Sequence, residues 1–152
     1  RYVVRFFNYL HKPWYYVLGN HDRNCYKEMP REPFLKIVKE ENKNGMTDKR
    51  FYCFKPKKGY TFIGLDGSDY GIDDDQIIYL EGVLDSNPED VIVIFVHTPV
   101  KADIEEIKDH VAWNSDKVIN LLNSYKQPII FIAGHYHATK IVRDNKLCLI
   151  IT

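Results

Sequence analysis

This chain of 152 residues has few cysteines and methionines, no long apolar run and a formal net charge of zero. Its three cysteines, Cys25, Cys53 and Cys148, are an odd number without C-x-x-C spacing, which argues against a disulfide framework and favours a cytoplasmic protein. The longest apolar run, Val91–Val96, has the length of a buried strand and is too short to cross a bilayer. No signal peptide is visible, so we expect no membrane partner.

The formal net charge is zero because 21 lysine and arginine residues balance 21 aspartate and glutamate residues. Without an overall positive field or a basic stripe, the chain is not predicted to bind nucleic acid. Its length suits one domain with a substantial core, so we predict a single domain over residues 1–152. The chain begins at Arg1 and its only methionines are Met29 and Met46, so we expect the native start to lie upstream.

Apolar periodicity and turn residues predict an alternation of helices and strands. Helices are predicted over residues 1–10, near 33–39, after the acidic run 73–75, and after Ser115 as the N-cap. Strands are predicted over 14–18, 51–54, 60–65, 91–96, 129–133, 140–142 and 147–151, with turns at 56–59 and 144–145. Residues 42–49 and 100–113 are predicted to be loops. We therefore expect a layered α/β or α+β fold with its helices outside.

Side chains that can bind metals directly follow three of the predicted strands. They are Asn20, His21 and Asp22 after the first strand, His97 after 91–96, and His135 and His137 after 129–133. Because loops at one edge of a sheet converge in space, we expect these side chains to meet there. Imidazoles suit zinc, iron and nickel, whereas amide and carboxylate oxygens suit manganese and magnesium. The pattern therefore predicts a mixed nitrogen and oxygen metal site.

Each of these segments also has an ordinary structural interpretation. An Asn-His-Asp sequence is typical of turns, a histidine before Thr-Pro is typical of a strand end, and His-x-His pairs are common. Three such segments in this order, each at a strand end, favour a site over these separate explanations. His11 and His110 lack that context, and we predict that they are surface residues.

The order of the three segments and the residues within each of them resemble the motifs of the calcineurin-like metallophosphoesterase family. The matching blocks are Gly19-Asn20-His21-Asp22, His97-Thr98-Pro99 and Gly134-His135-Tyr136-His137. The resemblance implies a layered β-sandwich flanked by helices. The family's D-x-H and G-D-x-x-D blocks have no counterpart before Trp14, so we expect the N-terminal strands that carry them to be missing here. The spacing is most similar to the bacterial cyclic-nucleotide phosphodiesterase branch.

The resemblance also implies a role for each matching residue. Four would be metal ligands: Asn20, His97 and His135 for one ion, and His137 for the other. His21 would stabilise the transition state or protonate the leaving group, and Asp22 would orient it. The two divalent ions, with manganese, iron, zinc and nickel as candidates, would assist hydrolysis of a phosphomonoester or phosphodiester, of which a cyclic nucleotide is one candidate.

The two unmatched blocks leave three interpretations open. In the first, this chain carries part of a two-metal phosphoesterase site and is inactive or impaired by itself. In the second, the chain is a catalytically inactive scaffold or binding protein of the same fold. In the third, it is a nucleic-acid enzyme of that fold, which the neutral charge disfavours. The joint presence of all six matching residues favours the first interpretation, because only chemistry readily explains them together.

Overall fold

The computed structural model describes residues 2–23, 29–42, 49–101, 110–144 and 146–152. The helices in these ranges are α1 (Tyr2–Asn8), α2 (Arg31–Glu41), α3 (Asp74–Asp85) and α4 (Ser115–Ser124). The strands are β1 (Tyr52–Lys57), β2 (Tyr60–Gly64), β3 (Val91–Val96), β4 (Ile129–Ala133), β5 (Lys140–Asp144) and β6 (Leu147–Ile151). Asn20–Arg23 form a short 3-10 turn. None of the helices in the described ranges is long and apolar enough to cross a membrane.

The strands form one six-stranded sheet in the order β1-β2-β3-β4-β6-β5. The four central strands run parallel, and β1 and β5 are antiparallel strands at the two edges. Val96 of β3 pairs with Ala133 of β4, which pairs with Ile151 of β6, so these strands end level with one another. The segments that follow β3 and β4 therefore begin side by side, which is what the predicted site requires. The predicted layered α/β architecture is confirmed.

One face of the sheet is buried beneath α3 and α4. Ile63, Ile94, Phe131 and Leu149 lie in one row across the parallel strands and are no more than 1% exposed. They belong to the same apolar cluster as fully buried side chains of the two helices, among them Leu80, Leu84, Val118 and Leu122. Each such side chain contributes roughly 1.5–3 kcal/mol relative to an exposed one. This core holds the sheet, and thus the site at its edge, in a fixed shape.

The opposite face is covered near β1 by a smaller layer. Val4 of α1, Trp14, Val38 of α2 and Tyr52 of β1 form a second buried cluster there. The Trp14 indole donates a hydrogen bond to Asn8 Oδ1 at 3.2 Å, which ties the chain after α1 to that helix. On the same face farther along the sheet, Ile132 and Ile150 are half-buried and Ile141 is 56% exposed.

The first predicted strand, residues 14–18, is not a strand in the structure. Its aromatic and β-branched residues favour an extended backbone, but a strand also needs a neighbour with which to form a ladder, and the described residues supply none. Its backbone instead accepts single hydrogen bonds, at the Tyr16 carbonyl from the Tyr52 hydroxyl (2.8 Å) and at the Leu18 carbonyl from Gly67 N–H (3.2 Å). These contacts place the segment beside the end of β2, so the residues after it still reach the site edge.

Two smaller predictions are also corrected. Ser115 is the first residue of α4 and Asn114 is its N-cap, although the Asn114 side chain makes no capping bond and instead pairs with the backbone of Ile72. The first hairpin turns more tightly than predicted, because β1 extends to Lys57. Gly59, with φ of +81°, is the left-handed residue of the turn. Cys25, residues 43–48 and residues 102–109 lie outside the described ranges. Cys53 and Cys148 are free thiols.

Candidate metal centre

The three predicted segments meet at the carboxyl edge of the parallel strands. Gly134 N–H, just after β4, donates to the carbonyl of His97, just after β3, at 3.0 Å. Gly19 packs directly against the His97 ring, where a Cβ would lie 2.9 Å from Cγ and Nδ1. A side-chain carbon at that distance is not tolerated without movement, so glycine is required for the close approach. The ends of two strands and the Gly19 turn are thereby packed around one imidazole.

Three potential ligand atoms converge at this point. His97 Nε2 lies 2.7 Å from Asn20 Oδ1 and 3.1 Å from His135 Nδ1. Both are hydrogen-bond distances, and both are also close to the spacing of about 3.0 Å between adjacent ligands of an octahedral ion with bonds of about 2.1 Å, so the same side chains suit a divalent transition metal. Within the described ranges, no group of three or more His, Cys, Asp or Glu side chains is arranged to hold a metal. The converging set here consists of two imidazoles and an amide oxygen, and its chemistry fits the predicted ion.

Both imidazoles are held in the neutral form that binds metals. Burial lowers the pKa of His97, and the nearby His21 and His137 lower it further, although Asp22 opposes this shift. Burial, together with the neighbouring histidines, lowers the pKa of His135 to about 4. Each ring therefore has a lone pair available at neutral pH.

The backbone at the site is unusual for residues other than glycine. His135 and His137 have φ of +73° and +54°, and Tyr70 has φ of +59°. Left-handed conformations at such residues cost about 1–3 kcal/mol each and cluster at functional sites. Two of the three left-handed residues, His135 and His137, lie in the turn after β4, and both line one cleft.

The cleft has a volume of about 290 Å³ and is lined by His21, His97, His110, His135, Tyr136 and His137. His110, which we predicted to be an ordinary surface residue, is exposed but forms one wall of this cleft, with its ring centroid 5.8 Å from those of both His135 and Tyr136. The sequence over residues 100–113 has no periodic pattern from which this position could be predicted. His11 is exposed, as predicted.

Asp22 closes the turn that contains Asn20 and His21. Its carboxylate accepts a hydrogen bond from Gly19 N–H at 2.8 Å. Burial raises the pKa of the Tyr16 phenol, and a hydrogen bond to Asp22 raises it further, so the phenol remains a donor to that carboxylate. These contacts assign Asp22 to holding the turn, while its predicted role in orienting His21 stays a prediction.

Tyr70 is a site residue that sequence reasoning did not single out. Asn20 is 4% exposed, and its Nδ2 donates a hydrogen bond to the Tyr70 hydroxyl at 3.0 Å. The Tyr70 ring also meets the His135 ring edge-on, with centroids 5.5 Å apart. Tyr70 lies 50 positions from Asn20, and only the fold brings the two together.

A network of ion pairs links the segments that carry Asn20 and Tyr70. Arg23, at the end of the Asn20–Arg23 turn, forms an ion pair with Asp69, and Arg31 of α2 pairs with both Asp69 and the buried Asp66. Asp66 also accepts a hydrogen bond from Ser68 N–H at 2.9 Å. The acidic groups nearest to the site after β2 are therefore engaged by arginines.

Comparison with known proteins identifies the family of the chain. The sequence model of the family described as calcineurin-like phosphoesterase matches residues 1–139. The chain is 22% identical over 183 aligned positions to a manganese-dependent ADP-ribose/CDP-alcohol diphosphatase of Arabidopsis thaliana, covering 89% of this chain and 57% of that protein. It is 26% identical to a probable glycerophosphodiester phosphodiesterase of Arcobacter nitrofigilis, covering 91% of this chain and 50% of the relative. The chain thus spans little more than half the length of these relatives.

Solved structures share the fold. A dimetal phosphatase from Danio rerio superposes with a TM-score of 0.69 at 19% identity, over 90% of this chain and 59% of that one. A putative 5'-nucleotidase from Staphylococcus aureus, crystallised with alpha-ketoglutarate, gives a TM-score of 0.64 at 17% identity, over 97% of this chain and 33% of that one. At these identities the similarity concerns the fold.

Proposed function

Because the chain belongs to the calcineurin-like phosphoesterase family, we propose that it forms part of an enzyme that hydrolyses phosphate esters with bound divalent metal ions. The observation that carries the proposal is the convergence of Asn20 Oδ1, His97 Nε2 and His135 Nδ1 at one edge of the sheet. The three side chains are within hydrogen-bond distance of one another through His97 Nε2, and the same atoms, two imidazole nitrogens and an amide oxygen, are of the kinds that bind divalent cations.

Asn20, His97 and His135 are proposed to hold one ion, and His137, in the same cleft, to contribute to a second. A bound divalent ion there would supply Lewis-acid polarisation of the phosphoryl group and a lowered pKa for bound water. We propose that this chain carries only part of such a two-metal centre and is inactive or impaired by itself.

His21 is proposed to act on the phosphate ester itself. Its side chain is exposed and lines the same cleft as His97 and His135. An imidazole at this position can donate a proton to a leaving oxygen or hydrogen-bond to a charged phosphoryl oxygen. The turn closed by Asp22 holds the backbone of His21 in place for that role.

The substrate is proposed to be a small molecule with a phosphate linkage between two groups. Both named relatives are described as acting on such linkages, one as a diphosphatase and one as a phosphodiesterase. A cleft of about 290 Å³ is at the lower end of the range for small-molecule sites. A cyclic nucleotide remains one candidate, and manganese is the favoured metal because one of the relatives depends on it.

Hydrolysis of bis(p-nitrophenyl) phosphate tests this proposal. The assay uses the chain extended at its N-terminus by the two unmatched blocks, here called the intact protein, with manganese, iron, zinc or nickel. We expect metal-dependent release of nitrophenol that is abolished by His135→Ala and unchanged by His11→Ala, since His11 is an exposed histidine outside the cleft. Inertness of the intact protein with all four metals would favour the scaffold interpretation. An equal rate for wild type and His135→Ala would reject the assigned site.

A further inference from the structure

An asparagine is an ambiguous metal ligand, because only one end of its carboxamide can bind a cation. The oxygen accepts lone-pair partners, whereas the nitrogen carries two protons and repels a metal. In this site Oδ1 of Asn20 points to His97 Nε2, 2.7 Å away, and Nδ2 points in the other direction. The Oδ1 end already has His97 Nε2 within hydrogen-bond distance, so the Nδ2 end is the one that needs a separate partner.

The Tyr70 hydroxyl is that partner. It accepts a hydrogen bond from Asn20 Nδ2 at 3.0 Å, in a site where Asn20 is 4% exposed and bulk water has little access. A tyrosine hydroxyl can pair with either end of a carboxamide, but when Oδ1 faces the imidazoles it is the partner of Nδ2, and leaving that buried N–H without a partner would cost about 1–3 kcal/mol. The oxygen end is then directed towards the imidazoles.

Tyr70 is itself held firmly at this point. Its N–H donates to Gly67 O at 3.1 Å, and its carbonyl accepts from Trp113 N–H at 2.9 Å. Its neighbour Asp69 forms an ion pair with Arg23, the last residue of the turn that begins at Asn20. Both partners of the Asn20–Tyr70 hydrogen bond therefore lie on segments that are tied to each other.

We propose that Tyr70 is a positioning residue of the metal site. Its hydroxyl fixes the carboxamide of Asn20 with the oxygen towards the ion, and its ring supports the imidazole of His135 from the side. This inference rests on the proposed function, since it assigns Tyr70 to the same ion. In this role Tyr70 acts through Asn20 and His135 rather than by binding the ion itself.

The first test is the manganese affinity of Tyr70→Phe, measured by calorimetry on the intact protein. This variant removes the hydroxyl and keeps the ring. Because residues that orient metal ligands typically affect affinity about 10- to 100-fold, we expect a loss within that range. Tyr125→Phe is the matched control, since it removes a tyrosine hydroxyl that donates to Asp85 at 2.8 Å on an exposed surface. We expect Tyr125→Phe to bind manganese as the wild type does, and both variants to remain folded by thermal melting.

The second test separates orientation from a general structural role. A carboxylate presents an oxygen at either end, so Asn20→Asp removes the need for an orienting partner. In the Asn20→Asp background, Tyr70→Phe should therefore cause little further loss of manganese affinity. An equal loss in both backgrounds would overturn the proposed orienting role.

The outcomes distinguish this inference from the proposed function. If His97→Ala abolishes manganese binding while Tyr70→Phe binds like wild type, the metal site stands and the role of Tyr70 is refuted. If the wild type itself binds no manganese, both proposals fail.

Discussion

Gly19→Ala is the substitution whose effect follows most directly from the geometry of the site. The new methyl group would point at the imidazole of His97, with its carbon 2.9 Å from Cγ and Nδ1 and 3.2 Å from Cδ2. Gly19 does not have a positive φ, so alanine is acceptable to the backbone itself. The whole effect should therefore come from the collision with a proposed metal ligand.

The magnitude follows from the overlap. Carbon atoms in comfortable contact are about 3.5–4.0 Å apart, so the ring or the turn must move by roughly 0.6 Å or more. Overpacking of this kind costs about 1–3 kcal/mol in the free energy of unfolding. Because His97 Nε2 is within 3.1 Å of both Asn20 Oδ1 and His135 Nδ1, a shift of the ring also changes both spacings. We therefore expect manganese affinity to fall together with stability.

The assay pairs urea denaturation with manganese calorimetry, and Gly82→Ala is the matched control. Gly82 is exposed in α3, and a Cβ there would meet nothing within 4 Å. Replacing a helical glycine by alanine should stabilise the protein by up to about 1 kcal/mol and leave manganese binding unchanged. If Gly19→Ala unfolds at the wild-type urea concentration and binds manganese with wild-type affinity, the close packing of the Gly19 turn on His97 is wrong.

Two further predictions concern the fold. Leu80→Ala should lower the free energy of unfolding by about 2–5 kcal/mol in urea titrations, because Leu80 is fully buried between α3 and the sheet, and an unchanged midpoint would contradict that packing. Asp73→Ala should cost about 1 kcal/mol at pH 7, because Asp73 caps α3 through Gln76 N–H. Burial opposes ionisation of Asp73, but hydrogen bonds from Arg50 and Gln76 outweigh it and lower its pKa. The cost should therefore be complete above the unfolded-state pKa near 4 and shrink as the pH falls below it, and a cost independent of pH between 7 and 2 would contradict the capping role.

The central strands and the positions of the ligands were predictable because local sequence determines them. Val91–Val96 and Ile129–Ala133 are strands over the predicted residues, since each is an apolar run bounded by turn residues. Parallel strands that end level must bring the residues after them together, so His97 and His135 could be placed at one edge. Segment 14–18 was predicted wrongly, because its composition favours extended backbone and cannot reveal whether a neighbouring strand is present.

Tyr70 and His110 were not predictable as site residues for a different reason. Tyr70 reaches Asn20 from a left-handed turn at a residue other than glycine, which no propensity favours. His110 lines the cleft although the sequence around it has no periodic pattern. Both positions result from tertiary packing between distant segments, for which neither periodicity nor spacing provides a signal.

Calorimetric titration of this chain with manganese, alongside His97→Ala and His11→Ala, tests the central claim most directly. The account predicts saturable binding by the wild type that is lost in His97→Ala. The reason is that both Asn20 Oδ1 and His135 Nδ1 lie next to His97 Nε2. It predicts wild-type binding by His11→Ala, whose side chain is exposed and does not line the cleft. Absence of binding by the wild type, or equal binding by wild type and His97→Ala, would contradict the claim that these three residues form a metal site.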